Sequence, residues 1–406
     1  MLKTVYEQII SRVGARAQEA PDARDELILE VARNGLRCLE GKDPVCWIGF
    51  NFPIEIPLAL GYVPFYPEIA PGQLAGADSC SPLVDVAERK FSNLFCCSFH
   101  RCSMGAMSEG IWPQPAAIVG VSNVCDGQVK LLQLFGQMKG IKPIIVELPT
   151  EVSESAVDYV ELQLKELIAE LEELKGEKLD DEKLREVIRS SNRSQRGLMR
   201  INELRRQIPC PLHGTRALNS IYASMVQIWA TPRIPQLYEQ LAREIEEKGQ
   251  IGEGKERFRL FLLVSYPTYK TLFFDCLEKE MGAIIVMDEM SNVYYWDELD
   301  EKNPVRSLAY KALRHPISGM IEKRVYWACK LAQDYKVDGA IHMSHWGCRQ
   351  TTGGVGVLRE SLAEIGIPLL NIDLDLIDSR AYSPGQLKTR LQSFAEMLGD
   401  RKGSAV

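Results

Sequence analysis

The sequence predicts an α/β protein built from two open parallel sheets of the Rossmann/flavodoxin-like kind, with an N-terminal helical segment and a helical insertion between the sheets. Three observations predict it. Short apolar runs alternate with helical patterns in two separate stretches of the chain. A long charged segment with helical spacing divides those stretches. At 406 residues the chain also exceeds the length over which one hydrophobic core keeps growing.

The N-terminal segment, 1–42, reads as helical because Ile9, Ile10, Val13, Leu27, Val31 and Leu36 recur at helical spacing, with a break near Pro21. A first α/β domain follows over 43–151. Its strands are expected at 45-VCWIGF-50, 116-AAIVGV-121 and 142-KPIIVELP-149, each an apolar run suited to a strand buried on both faces. The connecting helix is 126-DGQVKLLQLFGQMKG-140, closed by a capping Gly140. Residues 152–256 form the insertion; between 160 and 208 a highly charged helix pair carries Leu and Ile on one stripe, most simply a solvated connection. The second α/β domain, 257–406, has strands at 259-RLFLLVSYP-267, 282-GAIIVMDE-289, 337-VDGAIHMS-344 and 367-IPLLNIDLD-375, with helices around 269–280, 319–335, 353–365 and 385–398. The shared logic of the two halves points to an old duplication.

Composition narrows the function. The chain is 46% hydrophobic and 25% charged, with a net charge of −7. That balance argues against nucleic acid or an anionic membrane as partner, since both need surplus Lys and Arg. The N-terminus lacks the charged and apolar regions of a secretory signal, and no apolar run approaches the roughly 18–20 residues of a membrane span. A cytoplasmic location is expected. There thiols stay reduced, so the 11 cysteines read as metal ligands or catalytic thiols rather than as a disulfide framework.

Ligands of open α/β sheets collect at the carboxyl ends of strands. Cys125 follows the 116–121 strand and opens a helix, Cys348 follows the 337–344 strand and opens another, and Cys97 lies in the loop 94-LFCCSFHRCSMG-105. A helix N-terminus favours the thiolate that a metal needs. Of the five histidines, His100, His342 and His345 lie close in sequence to Cys97 or Cys348, and His345 is the candidate proton donor or acceptor. Cys38, Cys276 and Cys329 read as small core residues, and Cys46, Cys80 and Cys210 join no constellation. There is no G-x-x-x-x-G-K-S/T, and 353-GGVG-356 is not G-x-G-x-x-G, so no nucleotide signature is present. Zinc has some support from 97-CSFHRC-102 and 342-HMSH-345, but no second close cysteine pair completes such a site. Three dispersed strand-end cysteines better suit an iron–sulfur cluster between domains, with one iron lacking a cysteine.

Four passages resemble the 2-hydroxyacyl-CoA dehydratase and benzoyl-CoA reductase subunit family. The stretch 53-PIEIPLALGYVP-64 is similar to the family's P-x-E-I/L-x-x-A-x-G-x-x-P segment. The stretch 97-CSFHRCSMG-105 is similar to its C-S/P-x-x-R/K-x-x-x-G loop, with Cys97, Arg101 and Gly105 in register. Then 125-CDG-127 and 345-HWGCRQ-350 match two later strand-end cysteines, and the order holds over about residues 45–400.

The resemblance implies two α/β domains around a 4Fe-4S cluster bound by Cys97, Cys125 and Cys348. It implies a heterodimer with a related second subunit, an ATP-dependent 4Fe-4S activator protein as electron donor, and an acyl-CoA substrate. One electron turns the thioester into a ketyl radical anion, which allows loss of the hydroxyl group from a carbon whose β-hydrogen is otherwise scarcely acidic. Glu55 matches a family glutamate linked to proton transfer, and Arg101 and Arg349 are candidates for bonds to cluster sulfurs or a CoA phosphate. Cys96 and Cys102 flank Cys97 and stay open as ligands, although register favours Cys97. No cysteines at 285–315 correspond to those of relatives with a double-cubane cluster.

Overall fold

The β-branched and aromatic runs form eight strands in two all-parallel sheets, seen in a computed structural model that describes residues 1–91, 96–222, 224, 227–249, 251–252 and 255–403. Leu94 and Phe95 of the cysteine-rich stretch lie outside the described residues, as do positions 223, 225–226, 250 and 253–254 of the 152–256 segment and the last three of the 257–406 segment. The first sheet comprises β1 (Val45–Ile48), β2 (Val63–Phe65), β3 (Ala117–Val121) and β4 (Ile144–Val146) in the order β2-β1-β3-β4. The second comprises β5 (Phe258–Leu263), β6 (Ala283–Asp288), β7 (Gly339–His345) and β8 (Leu369–Leu374) in the order β6-β5-β7-β8. Seven of these strands coincide with the sequence expectation. β2 was not expected, because it is three residues long, ends the sheet and contains Pro64, which edge strands tolerate.

The two sheets repeat one topology. In each, the first strand pairs with the second on one side and the third on the other, so the strand order reverses between the first and third strands. Both faces are covered: Val45 and Trp47 of β1 enter one core with Ile118, while Cys46 and Ile48 enter another with Val119 and Val121. That two-sided burial is why the strands read as unbroken apolar runs.

Helices α1 (Leu2–Glu19) and α2 (Ala23–Glu40) form the N-terminal hairpin, and Asp22 caps α2 by accepting from Arg24 N at 2.8 Å. After β1 come the short α3 (Glu55–Ala59), then α4 (Ala70–Gly76), α5 (Ser81–Phe91) and α6 (Ser98–Ser108), followed beyond β3 by α7 (Asp126–Lys139). The sequence reading made 97–105 a loop; it is α6. Gly105 lets α6 press on α5, since a Cβ there would collide with the Leu83 carbonyl oxygen.

The insertion holds α8 (Glu154–Lys175) and α9 (Asp181–Arg205), then α10 (Gly214–Ala217) and α11 (Ile234–Lys248). It is more than a solvated connection. α9 buries a polar stripe against the loop after β6: Asn192 Nδ2 donates to Leu299 O at 2.9 Å, Gln195 Nε2 to Trp296 O at 2.8 Å and Asn202 Nδ2 to Ser291 O at 2.8 Å. Charge and polarity marked this helix as exposed, whereas satisfied hydrogen bonds let its amides sit inside. The second sheet is completed by α12 (Pro304–Arg314), α13 (Ile321–Asp334), α14 (Arg349–Thr352), α15 (Val355–Glu364) and α16 (Pro384–Gly403). Among the described residues no helix is long and apolar enough to cross a membrane.

Candidate active site and metal centre

The carboxyl ends of the two sheets face one cavity of about 640 Å³. Residues just beyond seven strands line it: Phe50 after β1, Glu68 after β2, Cys125 after β3, Ser265 after β5, Met290 after β6, Gly347 and Cys348 after β7 and Leu376 after β8. The volume falls within the few hundred to about 1,000 Å³ usual for ligand sites.

The candidate cysteines reach this cavity in the same way. Cys97 sits at the N-cap of α6, Cys125 at the N-cap of α7 and Cys348 at the N-cap of α14. Three helix N-termini are therefore turned towards one space, with their positive dipole ends beside the sulfurs. The loop after β7 passes against the start of α6. Gly347 has φ +76°, and a Cβ there would stand 2.9 Å from Cys97 N and 3.0 Å from the Cys96 carbonyl carbon, so only glycine fits. Cys96 also lines the cavity, whereas Cys102 faces the core against α5 and is fully buried there. Cys38 and Cys276 are buried as expected of small core residues, and Cys329 is half-buried.

Burial pushes the Cys97 thiol well up, and the nearby Cys348 sulfur adds to it. Burial likewise pushes Cys125 up to about 12, with Glu68 and Cys348 contributing. Thiols crowded and buried in this way ionise readily only beside a cation.

His345, at the end of β7, is buried with its ring edge-on to Phe99 at 5.3 Å. Its Nδ1 accepts from Leu376 N at 3.1 Å, which leaves the proton on Nε2. Nε2 lies 3.2 Å from Cys97 Sγ and 3.3 Å from Ser98 Oγ. Burial lowers His345 to about 4 against the pull of Asp375, so the ring is neutral at neutral pH. Asp375 in turn fixes the entry to α6, accepting from Ser98 Oγ at 2.7 Å. Arg101 bonds Glu88 and approaches Asp375 at 3.9 Å, so it supports that corner and is not among the cavity-lining residues.

On the other side of Cys97, His100 Nε2 meets Glu68 Oε1 at 2.8 Å, and Gln128 Nε2 donates to Glu68 Oε2 at 2.7 Å. Burial opposes a charge on His100, but bonds to Cys96 and Glu68 outweigh it and hold the ring up to about 10. The ligand atoms of Glu68, His100 and Cys125 all lie within 4.8 Å of one another. Glu68 escaped the sequence reading because the strand before it did; with β2 recognised, it would have stood out as a strand-end carboxylate.

Arg349 lines the cavity beside Asp126, 2.5 Å away, and both side chains are largely exposed. Glu55 is elsewhere. It is completely buried at the start of α3, where Oε1 accepts from Lys311 Nζ at 2.7 Å, Ser191 Oγ at 2.7 Å and Trp229 Nε1 at 3.2 Å. Burial would raise its carboxyl, but the Lys311 charge dominates and lowers it, so Glu55 is ionised. Lys311 also lies over the rings of Trp229 and Trp296, 4.3 and 5.2 Å from their centres. The structure thus gathers Cys97, Cys125, Cys348, His345 and Arg349 at one cavity and leaves Glu55 and Arg101 outside its lining.

A sequence model of the 2-hydroxyglutaryl-CoA dehydratase D-component matches residues 50–398. The chain is 25% identical over 394 residues to lactoyl-CoA dehydratase subunit alpha of Anaerotignum propionicum, covering 87% of this chain and 90% of the relative. It is 25% identical over 383 residues to the (R)-phenyllactyl-CoA dehydratase alpha subunit of Clostridium sporogenes, covering 90% and 92%. It is 23% identical over 344 residues to a benzoyl-CoA reductase subunit of Thauera aromatica, covering 76% and 78%.

Proposed function

The chain belongs to the 2-hydroxyglutaryl-CoA dehydratase D-component family, and from that premise we propose that it is the iron–sulfur subunit of an ATP-activated radical (R)-2-hydroxyacyl-CoA dehydratase, eliminating water by way of a ketyl radical anion. It is an enzyme subunit, of a dehydratase or a related acyl-CoA reductase. One observation carries the finer reading: three cysteines from both sheets, each starting a helix, line the same cavity.

The donor set fits a 4Fe-4S cluster held by Cys97, Cys125 and Cys348. Soft sulfur ligands suit iron–sulfur centres, and the Cys97 and Cys125 thiols, pushed up by burial and by the Cys348 sulfur, are relieved when a metal binds their ionised form. When bound, such a cluster supplies one electron at low potential and an iron without a protein sulfur, open to a substrate oxygen. The protein's own groups do the rest. His345 carries a proton on Nε2 beside Cys97 and is our candidate hydrogen-bond donor to the departing hydroxyl. Glu55, with Oε2 unbonded by any described residue, is the proton-transfer candidate. Arg349, which lines the cavity, is our candidate for binding a CoA phosphate, and Arg101 approaches Asp375, which bonds the start of α6.

The partners of this reading are a related second subunit, an ATP-dependent 4Fe-4S activator protein and the acyl-CoA substrate, in the cytoplasm. A ring-reducing or other acyl-CoA reductase is the second reading, favoured by the Thauera aromatica relative. The Glu68–His100–Cys125 trio favours a divalent ion such as zinc instead, but Glu68 and His100 already satisfy each other at 2.8 Å. Iron and acid-labile sulfide analysis of the anaerobically purified chain, with EPR after reduction, tests the proposal. Fewer than about two irons per chain after reconstitution would sink it, and zinc without sulfide would support the ion-binding reading.

A further inference from the structure

A second, smaller cavity of about 90 Å³ opens beside the first, and the two share Phe50, Met290 and Ile317 as a common wall. Its far side is built from Tyr66, Trp229, Tyr295, Trp296, Lys311 and His315. Of the residues given roles in the proposed chemistry, Glu55 alone touches these walls, through its bonds to Lys311 and Trp229.

Its size limits what can enter. A dry cavity of about 150 Å³ takes a benzene ring, so about 90 Å³ accommodates on the order of three to four carbon-sized atoms. Its electrostatics limit the occupant further. The charges around it are already matched: Lys311 pairs with Glu55 at 2.7 Å, and Arg324 pairs with Glu289, a wall residue, at 2.5 Å. His315 is held neutral by burial, which lowers it to about 3. A ligand carboxylate would have to take Lys311 from Glu55, leaving one of two buried carboxylates unpaired. A neutral oxygen meets no such conflict. The Trp296 Nε1 proton is buried, has no partner among the described residues and is left for an acceptor.

We propose that this chamber receives the acyl end of the substrate and selects short, uncharged 2-hydroxyacyl groups of about three to four carbons over aromatic and dicarboxylic ones. The proposal rests on the acyl-CoA reading of the cysteine cavity. Met290 lines both spaces, and its side chain is the one proposed to limit acyl length.

The test is calorimetric binding of a series of thioesters to the full chain with its partner subunit, purified anaerobically: lactoyl-, 2-hydroxybutyryl-, 2-hydroxyisocaproyl-, phenyllactyl- and 2-hydroxyglutaryl-CoA. The first two should bind about ten-fold or more tightly than the last two. Met290→Ala should improve 2-hydroxyisocaproyl-CoA while leaving lactoyl-CoA nearly unchanged, and Trp296→Phe should weaken lactoyl-CoA without admitting longer chains. Equal or tighter binding of phenyllactyl- or 2-hydroxyglutaryl-CoA would overturn the proposal and leave the acyl-CoA reading standing. Failure of every thioester to bind would overturn the acyl-CoA reading itself.

Discussion

Lys311→Met removes the only cation bonded, among the described residues, to the completely buried Glu55 carboxylate. At 2.7 Å and an effective dielectric of about 20, the gross attraction in the Lys311–Glu55 pair is about 6 kcal/mol. Releasing Lys311 also recovers its own desolvation, so the expected net loss is about 3–5 kcal/mol, typical of a buried pair broken from one side. Ser191 and Trp229 remain as donors, both on Oε1, and cannot neutralise the charge. The loss should depend on pH. In the native protein Glu55 has a lowered pKa, so its stabilising contribution is present above the ordinary carboxylate value and is lost as pH falls through the native one. In the variant, burial without Lys311 raises Glu55, and acid restores stability by protonating it. The gap between the two proteins should therefore narrow from pH 7 to pH 5. Glu55→Gln in the Lys311→Met background should recover most of the loss, leaving about 1–2 kcal/mol for the vanished contacts with the two indoles. Urea unfolding of the full chain followed by tryptophan fluorescence measures all four corners of the cycle. A Lys311→Met protein within about 1 kcal/mol of the parent at pH 7, or a double variant no more stable than Lys311→Met, would refute the reasoning.

Further outcomes are expected. Gly347→Ala should lose the metal-binding geometry and about 1–3 kcal/mol, because a Cβ would stand 2.9 Å from Cys97 N on top of the left-handed strain; Gly366→Ala, with φ +79° and nothing within 4 Å, bears the strain alone and should keep its iron. In a serine scan read by iron content, Cys97, Cys125 and Cys348 should each be required; Cys102→Ser should keep iron but lose about 1–3 kcal/mol for burying a hydroxyl. His315, neutral in the fold down to about pH 3, makes folding weaken as pH drops below its unfolded value; between pH 6.5 and 4.5 the change is about 2 kcal/mol, and His315→Gln should remove that share in denaturation curves at pH 7 and 4.5.

The strands were legible because both their faces are buried, so they spell uninterrupted apolar runs. β2 was not, and with it went Glu68. The start of α6 reads as a loop because Cys, Ser and His alternate there without an apolar stripe; the helix exists because Gly105 lets it lie on α5. The buried face of α9 was hidden for the opposite reason, since Ser191, Asn192, Gln195 and Asn202 look like surface residues until their partners on other elements are known. Strand ends and helix starts pointed to Cys125 and Cys348 directly, whereas the choice of Cys97 over its neighbours leaned on the resemblance. The burial of Cys102 removes one rival, and Cys96 remains beside the cavity. Lys311 carried no local signal, because its role depends on a carboxylate 256 positions away.

The three helix-starting cysteines also have a meaning for the topology of the chain. Cys125 and Cys348 are separated by more than half of the sequence, and a metal centre tying them to Cys97 would close a ring of about 220 residues in the unfolded polymer. Chain-entropy scaling puts the conformational freedom removed from such a ring at about 5 kcal/mol. A bound cluster would then act as a mechanical clasp between the halves, so that stripping it loosens residues far from any ligand. Hydrogen exchange at the α9 contacts with the loop after β6, compared before and after chelation, would register that slackening at a distance.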